Sequence, residues 1–347
     1  TTGSYNVAVG LSALVSNTTA SNNTAVGYQA GYSNTTGANN NFIGRLTGYS
    51  TTTASYNVAI GSPALYQNTT GANNVAIGDA ALYWNTTGSF NSAFGNGALQ
   101  YNTTASNNTA VGYQALYTNS TGTDIVGFGQ QAGRVATANA GTFIGTRSGY
   151  YTTTGAVNTF IGYEAGSYVT TGAKNTIIGG YSGNQGSLDI RTSSNYVVLS
   201  DGDGNPRMYF DANGIANLRS SMLEQMTISA TAATGTVNFD AVTQSVLYYT
   251  TNASGNWTLN IRGNSGTTLN NSMVTGQSLT IAFLATQGST AYYQSALTID
   301  GTSVTPKWQG GTAPTAGNAS AIDAYVLTVI KTGSATFTVL ASQTKFA

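Results

Sequence analysis

Eleven acidic and eleven basic side chains, with no histidine and no cysteine, are what this 347-residue chain brings to chemistry. That inventory removes the commonest general base, the commonest metal ligand, every thiol nucleophile, disulfides and structural zinc sites. Carboxylates, tyrosine and lysine remain. Paired carboxylates suit glycosidic hydrolysis when they stand about 5 to 9 Å apart. The N-terminal half offers Asp79, Asp124 and Glu164, and the rest adds Asp201, Asp203, Asp211, Asp240, Asp300 and Asp323, mostly beside turn glycines. Asp201, Asp203 and Asn205 have the spacing that opens an EF-hand calcium loop. Pro206 replaces that loop's central glycine and Ala212 stands where its bidentate glutamate belongs, so the segment reads as a hairpin turn. No catalytic residue, metal ligand or cofactor is assigned.

The other available chemistry is stacking. Tyr292, Tyr293, Lys307 and Trp308 lie beside Gly/Pro-rich stretches, where aromatic rings with one cation suit carbohydrate; they are the candidate receptor contacts. The competing reading has Trp308 plugging a sheet edge. A second aromatic set, Tyr32, Tyr49, Tyr66, Tyr83, Tyr117 and Tyr150, recurs through the first half with Trp84 alongside. It reads either as a platform for sugar rings or as packed, mutually stacked aromatics.

What positions these side chains is a 17-residue unit, clearest at 23–39, whose anchor is a glycine: Gly10, Gly27, Gly44, Gly61, Gly78, Gly95, Gly112, Gly129, Gly145, Gly162 and Gly179. The spacing is 17 throughout, except 16 from Gly129 to Gly145. So strict a period dictates a repeated fold. Four residues before the anchor stands asparagine, in Asn6, Asn23, Asn40, Asn57, Asn74, Asn91, Asn108, Asn158 and Asn175, with Ile125 and Gly141 as departures. One residue before it is always apolar, and two before is mostly alanine or phenylalanine, so both faces of a short strand are apolar. Alanine, then leucine or glycine, at three and four residues past the anchor predicts a second short strand, and Asn-Thr-Thr-Gly a turn.

Stacked in register at about 4.8 Å per rung, eleven rungs give a rod of roughly 50 Å. Its asparagines form a ladder, each amide satisfied by its neighbours. On that rise Asp79 and Asp124 lie about 15 Å apart, too far for paired-acid chemistry. One apolar face fills the coil; the other needs a second surface, and three chains about one axis is the expected assembly. The Asn-Thr/Ser-Thr triplets at Asn17, Asn34, Asn68, Asn85, Asn102 and Asn119 match the glycosylation sequon, although turn chemistry accounts for them. Adjacent threonines such as Thr35 and Thr36 cannot share one flat ice-binding side.

The Asn-x-Ala-Val/Ile-Gly-x-x-Ala pattern over residues 5–183 resembles the head repeats of trimeric bacterial adhesins, and its 17-residue form is similar to repeats in bacteriophage tail fibres, notably marine ones. The resemblance implies a left-handed parallel β-roll and a homotrimer. Residues 195–211 resemble the hairpin collar that follows such repeats, and 217–226 suggests a helical turn with Leu218, Met222 and Met226 on one side. From 225 the texture changes to alternating runs at 236–242, 246–251, 257–262, 279–284, 296–299, 325–331 and 336–340, predicting an antiparallel β-sandwich or jelly roll. Trp257, Leu259 and Ile261 share one core face, as do Leu279, Ile281 and Phe283. The end of the chain, with 306–312 and 341–347, resembles C-terminal domains of phage fibre proteins.

The expected architecture is all-β: a β-roll shaft at 1–187, a hairpin collar and connector at 188–224, and a C-terminal sandwich at 225–347, assembled as a homotrimer. With 6 % charged residues and a formal balance of zero, the chain lacks the field that would hold nucleic acid or an acidic membrane surface. No run of eighteen apolar residues would insert in a membrane, and no signal-peptide pattern opens the chain, which begins inside a repeat as a fragment or processed product would. The resemblance implies a structural fibre protein on a virion surface, partnered by itself, by other fibre proteins and by a host-surface glycan or protein. A cellular trimeric adhesin or extracellular filament is the alternative, and a polysaccharide depolymerase the third reading.

Overall fold

The structure, a computed structural model, describes residues 2–219 and 226–346, and the chain divides into two compact units, 1–221 and 222–347. The first unit is a stack of three-residue strands: β1 (Val7–Val9), β2 (Thr24–Val26), β3 (Asn41–Ile43), β4 (Val58–Ile60), β5 (Val75–Ile77), β6 (Ser92–Phe94), β7 (Thr109–Val111), β8 (Val126–Phe128), β9 (Thr142–Ile144), β10 (Thr159–Ile161) and β11 (Thr176–Ile178). Each pairs in parallel with the next, residue on equivalent residue, as Ala25 on Phe42 or Ala59 on Ala76. The 16-residue step keeps this register, Val126 on Thr142.

A strict anchor glycine has a physical cause. Gly95 sits at φ +134°, and a Cβ there would stand 2.6 Å from the Gly112 carbonyl oxygen in the following rung. No side chain fits where neighbouring rungs touch through main chain.

The expected second strand does not form. Residues three and four past each of the first ten anchors lie in turns, and in the fifth rung Ala80 and Leu82 take left-handed φ of +54° and +51°. That backbone carries the chain around its narrow alanine core, and its amides still bond along the stack, Leu82 N–H donating to Ala98 O and Trp84 N–H to Gln100 O, both at 3.0 Å. Each rung is thus one strand and a series of hydrogen-bonded turns.

The interior holds a volume rule. Where the inward strand residue is alanine, leucine stands six residues on in four consecutive rungs, Ala59 with Leu65, Ala76 with Leu82, Ala93 with Leu99 and Ala110 with Leu116, while Ala25 is followed by Gly31, whose space Leu14 and Phe42 of the neighbouring rungs fill. Where it is Phe42, Phe143 or Phe160, that place is Gly48, Gly149 or Gly166, and a Cβ on Gly48 would lie 2.5 Å from the Phe42 ring. A coil this thin accommodates no more than one large side chain per rung at these two places, so bulk is exchanged between its two walls or borrowed from the next rung, as where Gly133 faces Leu116 and Phe143.

The period ends near Gly183 but the coil does not. A two-strand hairpin, β12 (Asn184–Gln185) and β13 (Leu188–Asp189), is inserted before β14 (Val197–Ser200), which pairs in parallel with β11 over a 21-residue step, Thr176 on Val197. β15 (Pro206–Phe210) and β16 (Ala216–Leu218) then add antiparallel, giving one 14-stranded sheet. The hairpin expected at 195–211 is β14–β15. The helical turn expected at 217–226 is not seen at its ends, since Leu218 closes β16 and Met226 opens a strand; Met222 lies outside the described residues.

The second unit has two facing sheets. β17 (Met226–Ala232), β19 (Val246–Thr251), β21 (Ser278–Thr286), β25 (Ile322–Gly333), β26 (Thr336–Phe346) and β24 (Lys307–Trp308) form one, in that order; β18 (Gly235–Asp240), β20 (Trp257–Arg262), β22 (Gln294–Ile299) and β23 (Thr302–Ser303) form the other. The wholly antiparallel pairing expected here is corrected. From β17 to β22 the chain alternates between sheets, so each strand's neighbour in its own sheet runs parallel to it. Only β21–β25–β26 and β22–β23 are antiparallel. Trp257, Leu259, Ile261, Ile281 and Phe283 fill the core, while Leu279 is half-buried at its margin. A four-residue helix, α1 (Leu269–Ser272), crosses between β20 and β21; Asp300 accepts its Leu269 and Asn270 amides, and the buried Lys331 ammonium donates to the Asn270 and Met273 carbonyls. Among the described residues no helix is long and apolar enough to cross a membrane.

Candidate functional site

The asparagines before the anchors bind one rung to the next mainly through main chain. Asn74 is fully buried; its Oδ1 accepts the Asn91 N–H at 3.0 Å, and its Nδ2 donates to Gly88 O at 2.8 Å. The same arrangement links Asn6 to Asn23, Asn23 to Asn40, Asn40 to Asn57, Asn57 to Asn74, Asn91 to Asn108 and Asn158 to Asn175. Where asparagine is missing, Ile125 is buried in the core, and at Gly141 a Cβ would lie 2.7 Å from the Phe143 ring.

A second asparagine ladder went unrecognised in the sequence as a ladder, because it was first met as sequons. Asn34, Asn68, Asn85, Asn102 and Asn119 are fully buried, each Nδ2 holding the carbonyl three residues on, and amides also meet directly, Asn85 to Asn68 at 2.8 Å and Asn102 to Asn85 at 2.7 Å. The side-chain nitrogens that a glycan would need are enclosed in the fold, in keeping with the turn reading. The neighbouring threonines are spent as well: Thr35, Thr52, Thr69 and Thr86 each donate a hydroxyl to the carbonyl one rung on.

Tyr32, Tyr49, Tyr66 and Tyr83 stack on each other with centroids 5.0–5.1 Å apart and planes within 13°. Trp84 meets Tyr83 edge-on, and the Arg134 guanidinium lies over both Tyr117 and Tyr150, at 5.0 and 5.5 Å. Most ring faces in the column are covered by neighbouring rings or by arginine, which is the packed, mutually stacked arrangement, while Trp84 remains 42 % exposed.

The outward strand face is what remains uncovered. Val9, Ile43, Ile60, Phe94, Phe128, Ile144, Ile161, Ile178 and Leu199 stand in one column, 37–56 % exposed, with Val26, Ile77 and Val111 between them half-buried. Val7, Val58, Val75, Val126 and Val197 share the parallel column two residues earlier with Thr, Ser and Asn, and neither column contains a charge.

Most of the acids have partners of their own. Glu164 pairs with Arg147 at 2.8 Å and Asp240 with Arg262 at 2.5 Å; buried Asp323 accepts from Gln287 Nε2 and from the Asn318 main-chain and side-chain amides. In the Asp201 turn, Oδ1 accepts the Asp203 and Asn205 amides at 3.1 and 2.8 Å while Oδ2 pairs with Arg207 at 2.5 Å. The Asn205 amide, with Arg207 adding to it, holds the Asp201 carboxyl below its ordinary range. Among the described residues no three His, Cys, Asp or Glu side chains gather to hold a metal.

Of the four proposed receptor contacts, the structure brings two together. Lys307 and Trp308 form β24 on the edge of the larger sheet, and both line a groove of about 640 Å³ whose opposite wall is Ser295, Ala296 and Leu297 of β22. Trp308 is half-buried, its ring edge-on to Tyr325 at 6.4 Å, so it both closes the sheet edge and faces the groove. Tyr292 and Tyr293 are half-buried and do not line it; Gln287 clamps the Tyr292 main chain through two hydrogen bonds, 2.8 and 3.0 Å. Ser303 and Thr305 supply hydroxyls to the wall. They were missed in the sequence because three separate segments build the groove; the local signal was Pro306 together with Gly310 and Gly311, both at left-handed φ.

No family model, no curated protein and no solved structure matches this chain.

Proposed function

We propose that this protein is the structural subunit of a homotrimeric fibre on a virion surface, whose coiled shaft carries the second unit to a host-surface glycan. The observation that supports it most is the uncharged apolar column running from β1 to β14. Twelve rungs at ~4.8 Å extend it over about 53 Å. A contiguous apolar strip of that kind marks an interface. Its only natural complement is a surface with the same rung spacing, which another copy of the chain supplies. The virion assignment rests on the resemblance of residues 5–183 and of the chain's end to phage fibres. The mechanism is mechanical: three weak sites held together on one support gain avidity without new contacts. No reaction is part of it, and the pairing of most acids with arginine or turn amides is in keeping with that.

Gold-labelled antibody to the second unit, applied to particles and cells from a producing culture, tests the assignment in electron micrographs. Label on virion appendages is expected. Label confined to cell-derived filaments or the cell envelope would overturn it in favour of the adhesin or filament.

A further inference from the structure

The regularity of the shaft leaves one thing unspecified, the axial position of one copy against the next. Rungs recur at a single spacing and the outward residue before each anchor is always apolar, so a copy displaced by a whole rung meets the same surface. Val9, Ile43, Ile60 and Ile144 cannot distinguish one rung from its neighbour. The second outward column can. From Val7 on β1 to Val197 on β14 it runs Val-Thr-Asn-Val-Val-Ser-Thr-Val-Thr-Thr-Thr-Val, an order with no period, and every member is exposed or half-buried. Among the described residues the Asn41 amide and the hydroxyls of Thr24, Ser92 and Thr109 make no hydrogen bond within the chain.

We propose that this second column sets the register in which copies of the chain close on one another, because only with every rung opposite its own equivalent does each polar member meet a polar partner. The inference rests on the assembly reading above and adds to it how the copies find their axial position. In that register Asn41 faces Asn41 and threonine faces threonine, groups that both donate and accept, while each valine faces valine. A slip of one rung sets Val7 against Thr24, Asn41 against Val58 and Val75 against Ser92, and in all puts valine opposite Thr, Ser or Asn in six of the eleven rungs that still overlap. A slip of two rungs does so in eight of ten. A hydroxyl or amide closed against valine gives up water and receives no hydrogen bond in return. One polar residue in the apolar seam of a coiled coil fixes register by the same cost. Direction needs no such device, since equivalent copies about a threefold axis all run the same way.

The chain has no cysteine, so introduced thiols report the register without interference. Full-length chains carrying Ile60→Cys and chains carrying Ile77→Cys, in neighbouring rungs of the apolar column, are refolded together in equal amounts, oxidised, and their disulfides mapped by peptide mass. Bonds between like positions are expected to exceed bonds between unlike positions by about tenfold or more, since several unpaired polar groups separate the two registers. The same pair is then made with Thr24→Val, Asn41→Val, Ser92→Val and Thr109→Val, which turns the first eight rungs of the second column into valine throughout. Circular dichroism should not change, because Val58 and Val75 already occupy equivalent places, and bonds between unlike positions should rise severalfold. Equal like and unlike bonds with the natural column would overturn the proposal. Unlike bonds that stay rare after the four substitutions would also overturn it, the register then being set elsewhere in the chain. Neither bond in a particle with the mass of three chains would remove the column from the interface. A particle of one chain would overturn the assembly reading itself.

Discussion

At the scale of single residues the shaft is governed by three constraints: no Cβ at the anchor, no more than one large side chain per interior layer, and a hydrogen bond for each amide of the asparagines before the anchors. Gly95→Ala adds a methyl against the Gly112 carbonyl at a φ that L-residues avoid, and should cost on the order of 3 kcal/mol or more, read from chemical denaturation. Ala76→Phe overfills a layer that already holds Leu82 and should cost about 1–3 kcal/mol, but combining it with Leu82→Gly recreates the pairing of Phe160 with Gly166. The cycle should show favourable coupling of ~1 kcal/mol or more. Additive losses would mean that the exchange of bulk is not what fits these layers. Titration also belongs here. Burial pushes the Tyr181 and Tyr325 phenols well above the usual tyrosine range. A raised pKa contributes stability that is full below the unfolded value, about 10, and is lost as pH rises through the folded one. Asp189, held down by the Arg191 side chain, and Asp201, held down by the Asn205 amide, act in the opposite direction, their contribution present above about 4 and lost on acidification. With no histidine or cysteine between these windows, the melting temperature should stay flat from about pH 5 to 9 and fall on both sides.

At the scale of elements, the ladders determine how damage spreads. Asn74→Ala strips the Asn91 N–H and the Gly88 carbonyl of their partners and should cost about 2–4 kcal/mol, with faster hydrogen exchange at the Asn91 amide. Thr86→Ala, which removes one half-buried hydroxyl donor to Thr103 O, should cost under about 1 kcal/mol. Equal costs for the two would contradict the assigned ladder. These elements were unevenly legible in the sequence. The rung, its anchor glycine and the asparagines before it follow from a strict period, because identical units can stack only on themselves. The missing second strand was not legible: alanine followed by leucine suggests extended chain, and nothing local shows that Leu65, Leu82, Leu99 and Leu116 take left-handed φ, which leucine ordinarily avoids. In the second unit Trp257, Leu259 and Ile261 announced a strand by alternation. Alternation names a face but not a neighbour, so the parallel pairing of β20 with β18 and β22 stayed hidden. The groove was half legible, Lys307 and Trp308 by composition and Ser303 and Thr305 not at all, since separate segments meet there only after folding.

At the scale of the whole molecule, the proposed assembly rests on the leftover apolar column. Within the coil the inward residues from Ala25 to Ile177 are fully buried, yet the strand residues beside them, Ile43, Ile60, Phe94, Ile144 and Ile161, remain 37–40 % exposed on a face with no charge to keep it in water. Placing charge in that face, as in Ile60→Lys with Ile144→Lys, should leave the circular dichroism of the β-coil unchanged while separating the copies. The central claim is that copies of this chain close over that face as a trimer, and the native mass of the particle by sedimentation equilibrium tests it most directly. The account predicts three times the 35.5 kDa of one chain, falling to 35.5 kDa in the double lysine variant. A folded, soluble particle of 35.5 kDa for the unmodified chain would contradict it.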